Sequence, residues 1–156
     1  MNGMDDAGAG ALTATLQGLF HGLHDNLRRQ VTGVDQGTLN WRPLPKANSI
    51  AVLVAHTLGS ERDMLLAVRG MSSGRDREAE FRVELDAAEL LARLDSADQE
   101  LDQHLPALTP ADLTDLRARG DRAPQPGIVW LLGNYGHARE HLAQVELTKQ
   151  LYDSRT

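Results

Sequence analysis

The six histidines, His21, His24, His56, His104, His137 and His141, are the residues best suited to chemistry in a chain that has no cysteine. Disulfides, thiolate metal sites and cysteine nucleophiles are therefore excluded. His137 and His141 stand at i, i+4, so on a helix their imidazoles share one face. That spacing lets two imidazoles hold one metal ion, although it also occurs in pairs with ordinary hydrogen bonds. A helix turns about 100° per residue, which gathers Arg139, Glu146 and Gln150 into one arc, the expected solvent face. The two histidines fall nearly opposite, beside Asn134, Ala138, Val145 and Tyr152.

His56 lies in VLVAHTLGSE, the most apolar part of the chain, at the edge of a stripe of Ile50, Leu53, Met64 and Val68. A lone histidine in such a place is more often a hydrogen-bonded core residue than a ligand. A histidine pair nevertheless needs a third ligand from another helix. Three nitrogens with open coordination positions are the donor set of a catalytic metal site. His21 falls on a polar face. His24 flanks an apolar stripe, where it either lines a pocket or is buried with a single hydrogen bond. His104 closes a helix and suits the negative end of its dipole.

The elements that must position these residues are helical. Leu12, Leu16, Leu19, Phe20, Leu23, Leu27 and Val31 follow the i, i+3, i+4 rule and predict a helix over 9–31, after a short tail over 1–8. The stretch TGVDQGTLNWRPLPKANS reads as a loop. Ser49 is a good N-cap for a helix over 50–69, stopped by Gly70. Residues 70–84 are polar. Asp86 with Glu89 resembles a capping box for a helix reaching His104. Thr109-Pro110 opens a short helix, Pro110–Leu116. RGDRAPQPG, which contains the tripeptide Arg119-Gly120-Asp121, reads as a polar loop, and a last helix runs from Ile128 to Tyr152. No segment has convincing strand alternation. The expected fold is all-α: one domain over 1–156, a four-helix bundle with long crossover connections and one short extra helix. Such connections allow parallel neighbours, so the helix order stays open.

The net charge of −6 provides no broad electrostatic footprint for nucleic acid or an anionic membrane. No apolar run is long enough to span a bilayer. MNGMDDAGAG has two aspartates and no basic cluster, unlike a signal peptide, so a cytoplasmic location is expected.

LNWRPLPKANSIAVLVAHTLGSE and HAREHLAQVEL together resemble the two signatures of the DinB/YfiT-like superfamily. The matching positions are Trp41, Arg42, Pro43, Ser49, His56, His137, His141 and Gln144. Ala143 stands where glycine is frequent. The resemblance spans about residues 9–152. It implies a helical bundle of unusual helix order, frequently dimeric. It also implies a divalent metal, zinc or nickel, held by His56, His137 and His141. Relatives include S-transferases and an isomerase that use a low-molecular-weight thiol such as mycothiol or bacillithiol, and many members have no established activity.

Three functions fit. A cation held by three neutral imidazoles would lower the pKa of a thiol, which could then attack an electrophile as thiolate. The missing cysteine is compatible with this, because the nucleophile arrives with the cosubstrate. Asp63, two turns from His56, could orient a ligand or form a surface salt bridge. Asn134 and Gln144 could support the metal ligands, while Trp41 could cover the bundle end or simply cap the core. The second function is a metal-dependent hydrolase. It needs a general base nearby, and Glu61 and Glu140 both rotate away from the histidine face. The third is a non-catalytic, stress-associated metal-binding dimer.

Overall fold

The computed structural model describes residues 3–155. Side-chain caps start most of its helices. Asp5 accepts the Gly8 amide and opens α1 (Asp6–Val31), which begins at Asp6 rather than at residue 9, so part of the expected tail is helical. Asp35 caps a short helix, α2 (Gln36–Asn40), inside the segment expected to be loop. Ser49 accepts the Val52 amide and opens α3 (Ile50–Val68). Asp76 caps a single turn, α4 (Arg77–Glu80). Asp86 and Glu89 form the reciprocal capping box of α5 (Ala87–His104), and Thr109 with Asp112 form that of α6 (Pro110–Thr114).

The expectation of no strand is corrected. The segment 116–126 is an antiparallel hairpin of β1 (Leu116–Arg119) and β2 (Arg122–Pro126). Pro124 and Pro126 hide it from sequence reading, because proline cannot donate to a ladder. An isolated two-stranded ribbon has two free edges and tolerates them. Its register shifts between Arg117 and Arg119. Gly120, with φ 60°, supplies the left-handed residue of the two-residue turn. The chain then enters α7 (Gly127–Asp153) directly.

Apolar side chains form two clusters. One joins Leu27 and Val31 of α1, Ile50 and Val54 of α3, Leu90 and Leu94 of α5, and Val145 of α7. The other joins Leu16 and Phe20, Met64 and Val68, Leu101, and Trp130 and Leu131 of the same four helices. Burying each such side chain contributes about 1.5–3 kcal/mol, so packing fixes how the helices pair. The cluster membership makes α1 and α7 run one way and α3 and α5 the other. α1 packs on α5 and α7, and α3 packs on the same two helices. α3 and α5 are therefore parallel neighbours, which the long α3–α5 connection permits. Leu19, expected in the stripe of α1, is 41% exposed; Ala9, Thr13 and His24 complete the buried face instead. Among the described residues, no helix is long and apolar enough to cross a membrane.

The hairpin can lead straight into α7 because of a close backbone approach. A Cβ added to Gly127 would lie 2.0 Å from the Asp112 carbonyl oxygen and 3.1 Å from Val68 Cγ1. Gly127→Ala should therefore cost about 1–3 kcal/mol in denaturant unfolding. Gly22→Ala, at an exposed position of α1 with nothing within 4 Å, should instead stabilise by about 0.5–1 kcal/mol.

Candidate metal centre

α3 is buried on nearly every face, and α7 packs along it. This contact brings His56 of α3 against His137 and His141 of α7. One nitrogen of each ring lies within 4.8 Å of the other two. The ring centroids are 5.5 Å apart for His56 and His137, 5.1 Å for His56 and His141, and 4.3 Å for His137 and His141. His137 Nε2 and His141 Nε2 are 3.1 Å apart. Metal–nitrogen bonds of about 2.0–2.1 Å in a tetrahedral site put ligand nitrogens roughly 3.3 Å from each other. The spacing of this pair therefore suits one shared ion.

The outer nitrogens of two rings are held. His141 Nδ1 donates to Gln144 Oε1 at 2.8 Å. His56 Nδ1 donates to Glu80 Oε2 at 2.9 Å. The carboxylate beside it assigns the proton to Nδ1, although Arg75 Nη2 also approaches that nitrogen at 3.2 Å. Arg75 is satisfied elsewhere, donating to Glu80 through Nε at 2.6 Å and Nη2 at 2.7 Å. Nε2 of both rings is thereby left as the acceptor nitrogen, that of His141 paired with His137 Nε2, and a proton held on the outer nitrogen is the usual arrangement around a histidine-bound metal. Burial disfavours charge on His137 and His141. The neighbouring histidines add to this, and Arg119 and Arg122 do so for His137, which is pushed down to about 4. Both rings are neutral near pH 7, the form that ligates metal.

The residues behind His56 escape sequence reading. Glu80 and Arg75 sit in the segment 70–84, read as merely polar. Burial works against the Glu80 charge, but the bonds from Arg75 and His56 outweigh it and hold the carboxyl below its ordinary value. Gly59 makes room for it, since a Cβ there would lie 2.0 Å from Glu80 Oε1. Phe81 packs on the His56 ring at 4.9 Å, and its carbonyl accepts Arg42 Nη2 at 3.1 Å. Arg42 of the Trp-Arg-Pro signature thus ties the loop before α3 to the turn that supports His56. The lone aromatic Phe81 in a polar stretch is the one available sequence signal.

The remaining candidates are distributed differently. Gln144 reaches His141. Asn134 donates from Nδ2 to Ser60 Oγ at 3.0 Å, and its Oδ1 is buried without a partner. Asp63 shares a cleft with His56 and His137, but its carboxylate accepts from Ser73 Oγ at 2.5 Å and Arg119 Nε at 2.9 Å. Trp41 is not brought to the triad; it packs edge-on against Tyr152 at 5.5 Å, under Arg155. Nor is His24, which has more than the single partner expected. It donates from Nδ1 to Asp98 Oδ1 at 2.7 Å and from Nε2 to Glu61 Oε2 at 2.9 Å. Burial pushes the Glu61 carboxyl up, against the pull of its bond to His24; with both carboxyls ionised the ring is doubly protonated. His21, expected to be solvated, hydrogen-bonds Asp102 through Nε2 at 2.7 Å and lies 2.9 Å from Asp98 through Nδ1. His104 Nδ1 lies 2.9 Å from Arg69 Nη1 and accepts from it.

A mostly helical fold presenting three converging imidazoles defines the class of protein. The DinB superfamily model matches residues 19–145, and the chain belongs to that superfamily. It is similar in fold to a DinB-like protein from Bacillus cereus ATCC 10987, with a TM-score of 0.70, 14% identity, and coverage of 87% of this chain and 91% of that one. It is also similar to a conserved protein from Enterococcus faecalis, with a TM-score of 0.76, 16% identity, and coverage of 92% and 98%. No curated protein matches the sequence.

Burial opposes the His24 charge, but the hydrogen bonds to Asp98 and Glu61 outweigh it and raise His24 from 6.5 to about 9. A raised pKa contributes stability that is complete below the unfolded value and is lost as pH rises through the folded one. Unfolding free energy should accordingly fall by roughly 3 kcal/mol as pH rises from 6.5 to just above 9. Urea titrations across that window should show the slope, and His24→Gln should flatten it.

Proposed function

We propose that the protein is a divalent-metal-dependent S-transferase that uses a low-molecular-weight thiol. The observation that carries this reading is the convergence of three imidazoles, two of them kept neutral by burial, beside an open cleft in a chain without cysteine. Bound by His56, His137 and His141, a divalent cation supplies Lewis acidity that lowers the pKa of a thiol. Zinc and nickel both accept such a donor set. The chain's own residues hold the nitrogens in place. Glu80 and Gln144 fix which nitrogen of His56 and His141 carries the proton, and Arg75 clamps Glu80. Phe81 packs over the His56 ring. The nucleophile is the cosubstrate thiol, and attack on an electrophilic carbon or disulfide sulfur forms the new bond to its sulfur as the leaving group departs.

The hydrolase reading gains nothing from the residues around the triad. Glu61 is bonded to His24, Glu80 to Arg75 and His56, and Asp63 to Arg119 and Ser73. Each of these carboxylates is engaged in holding another residue rather than left to take a proton from water. The four long helices are best described as a four-helix bundle, and the protein as a cytoplasmic homodimer. Exposed Leu132, Leu147 and Leu151 on α7 favour the dimer.

Elemental analysis of the purified protein should find about one divalent ion per chain, the loading that three ligands at one site dictate. His56→Ala and His141→Ala should lose it, and equal metal content in all three proteins would remove the reading. Metal-loaded protein should consume bacillithiol or mycothiol in the presence of a reactive electrophile faster than metal-stripped protein. Glu80→Gln should keep the fold but weaken zinc affinity about 10–100-fold in a chelator competition.

A further inference from the structure

The hairpin places two arginines where opposed charge needs an explanation. Arg119 and Arg122 are cross-strand partners on either side of the Gly120-Asp121 turn. Like charges directly opposite each other on a ribbon are unfavourable. Arg119 is only 9% exposed and lies 5.8 Å from the Trp130 ring centre. Its Nε donates to Asp63, and its Nη2 donates to Ser60 O at 2.8 Å and Ser60 Oγ at 3.0 Å. Among the described residues, Arg119 Nη1 and the whole Arg122 guanidinium make no hydrogen bond.

Both arginines and His137 line a cleft of about 470 Å³, a volume in the range of small-molecule sites. Its other walls include Ser60, Trp130 and Asn134, and no carboxylate lines it, although the chain carries a net charge of −6. Ser60 and Asn134 are buried, 5% and 4% exposed. Ser60 Oγ accepts from Arg119 and from Asn134 Nδ2, leaving its own proton unassigned. If the Asn134 amide is turned over, its oxygen takes that proton and its NH2 is freed instead. Either orientation leaves one buried donor unclaimed beside the two arginines.

We propose that this cleft binds the carboxylate of a small organic acid. The carboxylate lies between Arg119 and Arg122, within reach of the free Ser60 or Asn134 donor. The ligand's apolar part rests on Trp130 and Val129. Planar guanidinium groups match a carboxylate through paired hydrogen bonds. As a substrate assignment this rests on the triad being the reaction centre, because His137 of the triad also lines the cleft. Carboxylate binding itself does not require a metal.

The test is an NMR titration of the metal-stripped full chain with butyrate at constant ionic strength. The reporter is the indole N–H of Trp130, which donates to Arg117 O at 2.8 Å; the Trp41 indole serves as internal control. Butyrate should shift the Trp130 signal saturably and leave Trp41 still, and neutral butyramide should move neither. Arg122→Gln, a change at an exposed position, should weaken the apparent Kd about tenfold. His56→Ala should leave it unchanged, so failure of the metal reading and failure of this one are separable. No saturable shift, an equal response to butyramide, unchanged affinity in Arg122→Gln, or tighter binding of inorganic phosphate than of butyrate would each overturn the assignment.

Discussion

The contact between α3 and α7 is the constraint on which the rest of the molecule depends. Neither helix alone could assemble three imidazoles. α7 carries a pair one turn apart, and α3 supplies the third from a helix buried on almost all sides. Burial of α3 by α5 and α7 fixes its rotation. That rotation turns His56 toward the pair rather than toward α5. An imidazole offers a metal only one lone pair, in the plane of its ring. Small rotations of either helix would separate the three rings, so dense packing on both sides of α3 holds them together as well as stabilising the fold.

Burial also sets the protonation pattern. Two buried histidine environments in one small core lead to opposite charge states. Burial keeps His137 and His141 neutral, helped by His56 beside both and by two arginines beside His137. His24, with a carboxylate on each nitrogen, stays charged. Glu61 and Asp98 bind His24 from α3 and α5, the level at which the two apolar clusters meet. A buried charge is tolerated only when its hydrogen bonds are complete. This layer meets that condition across three helices and so constrains their register. The same engagement removes Glu61 from the chemistry of the triad.

The hairpin has a different role. It adds little to the core, yet it closes the cleft beside His137 and carries the arginines that make the cleft positive. The tripeptide Arg119-Gly120-Asp121 has an internal use here. Gly120 makes the turn, and Arg119 folds back onto Asp63 and Ser60. Gly59 and Gly127 serve similar ends at other points, admitting Glu80 and the Asp112 carbonyl where a side chain would collide.

What the sequence alone determined is local. Helix caps at Ser49, Asp86 and Thr109, the apolar periodicity of the long helices, and the pairing of His137 with His141 are all written within four residues of each other. Gln144 and His141 are legible for the same reason. Only the tertiary structure decided the partners that lie far apart in the chain. Glu80 meets His56 across 24 residues, Arg119 meets Asp63 across 56, and Asp98 meets His24 across 74. Such pairings have no period to detect, because they follow from which helices become neighbours. The hairpin escapes detection because prolines break its alternation, and the helix order because long connections permit several. Spacing along one helix reports a shared face, but only the packing of whole helices reports what that face meets.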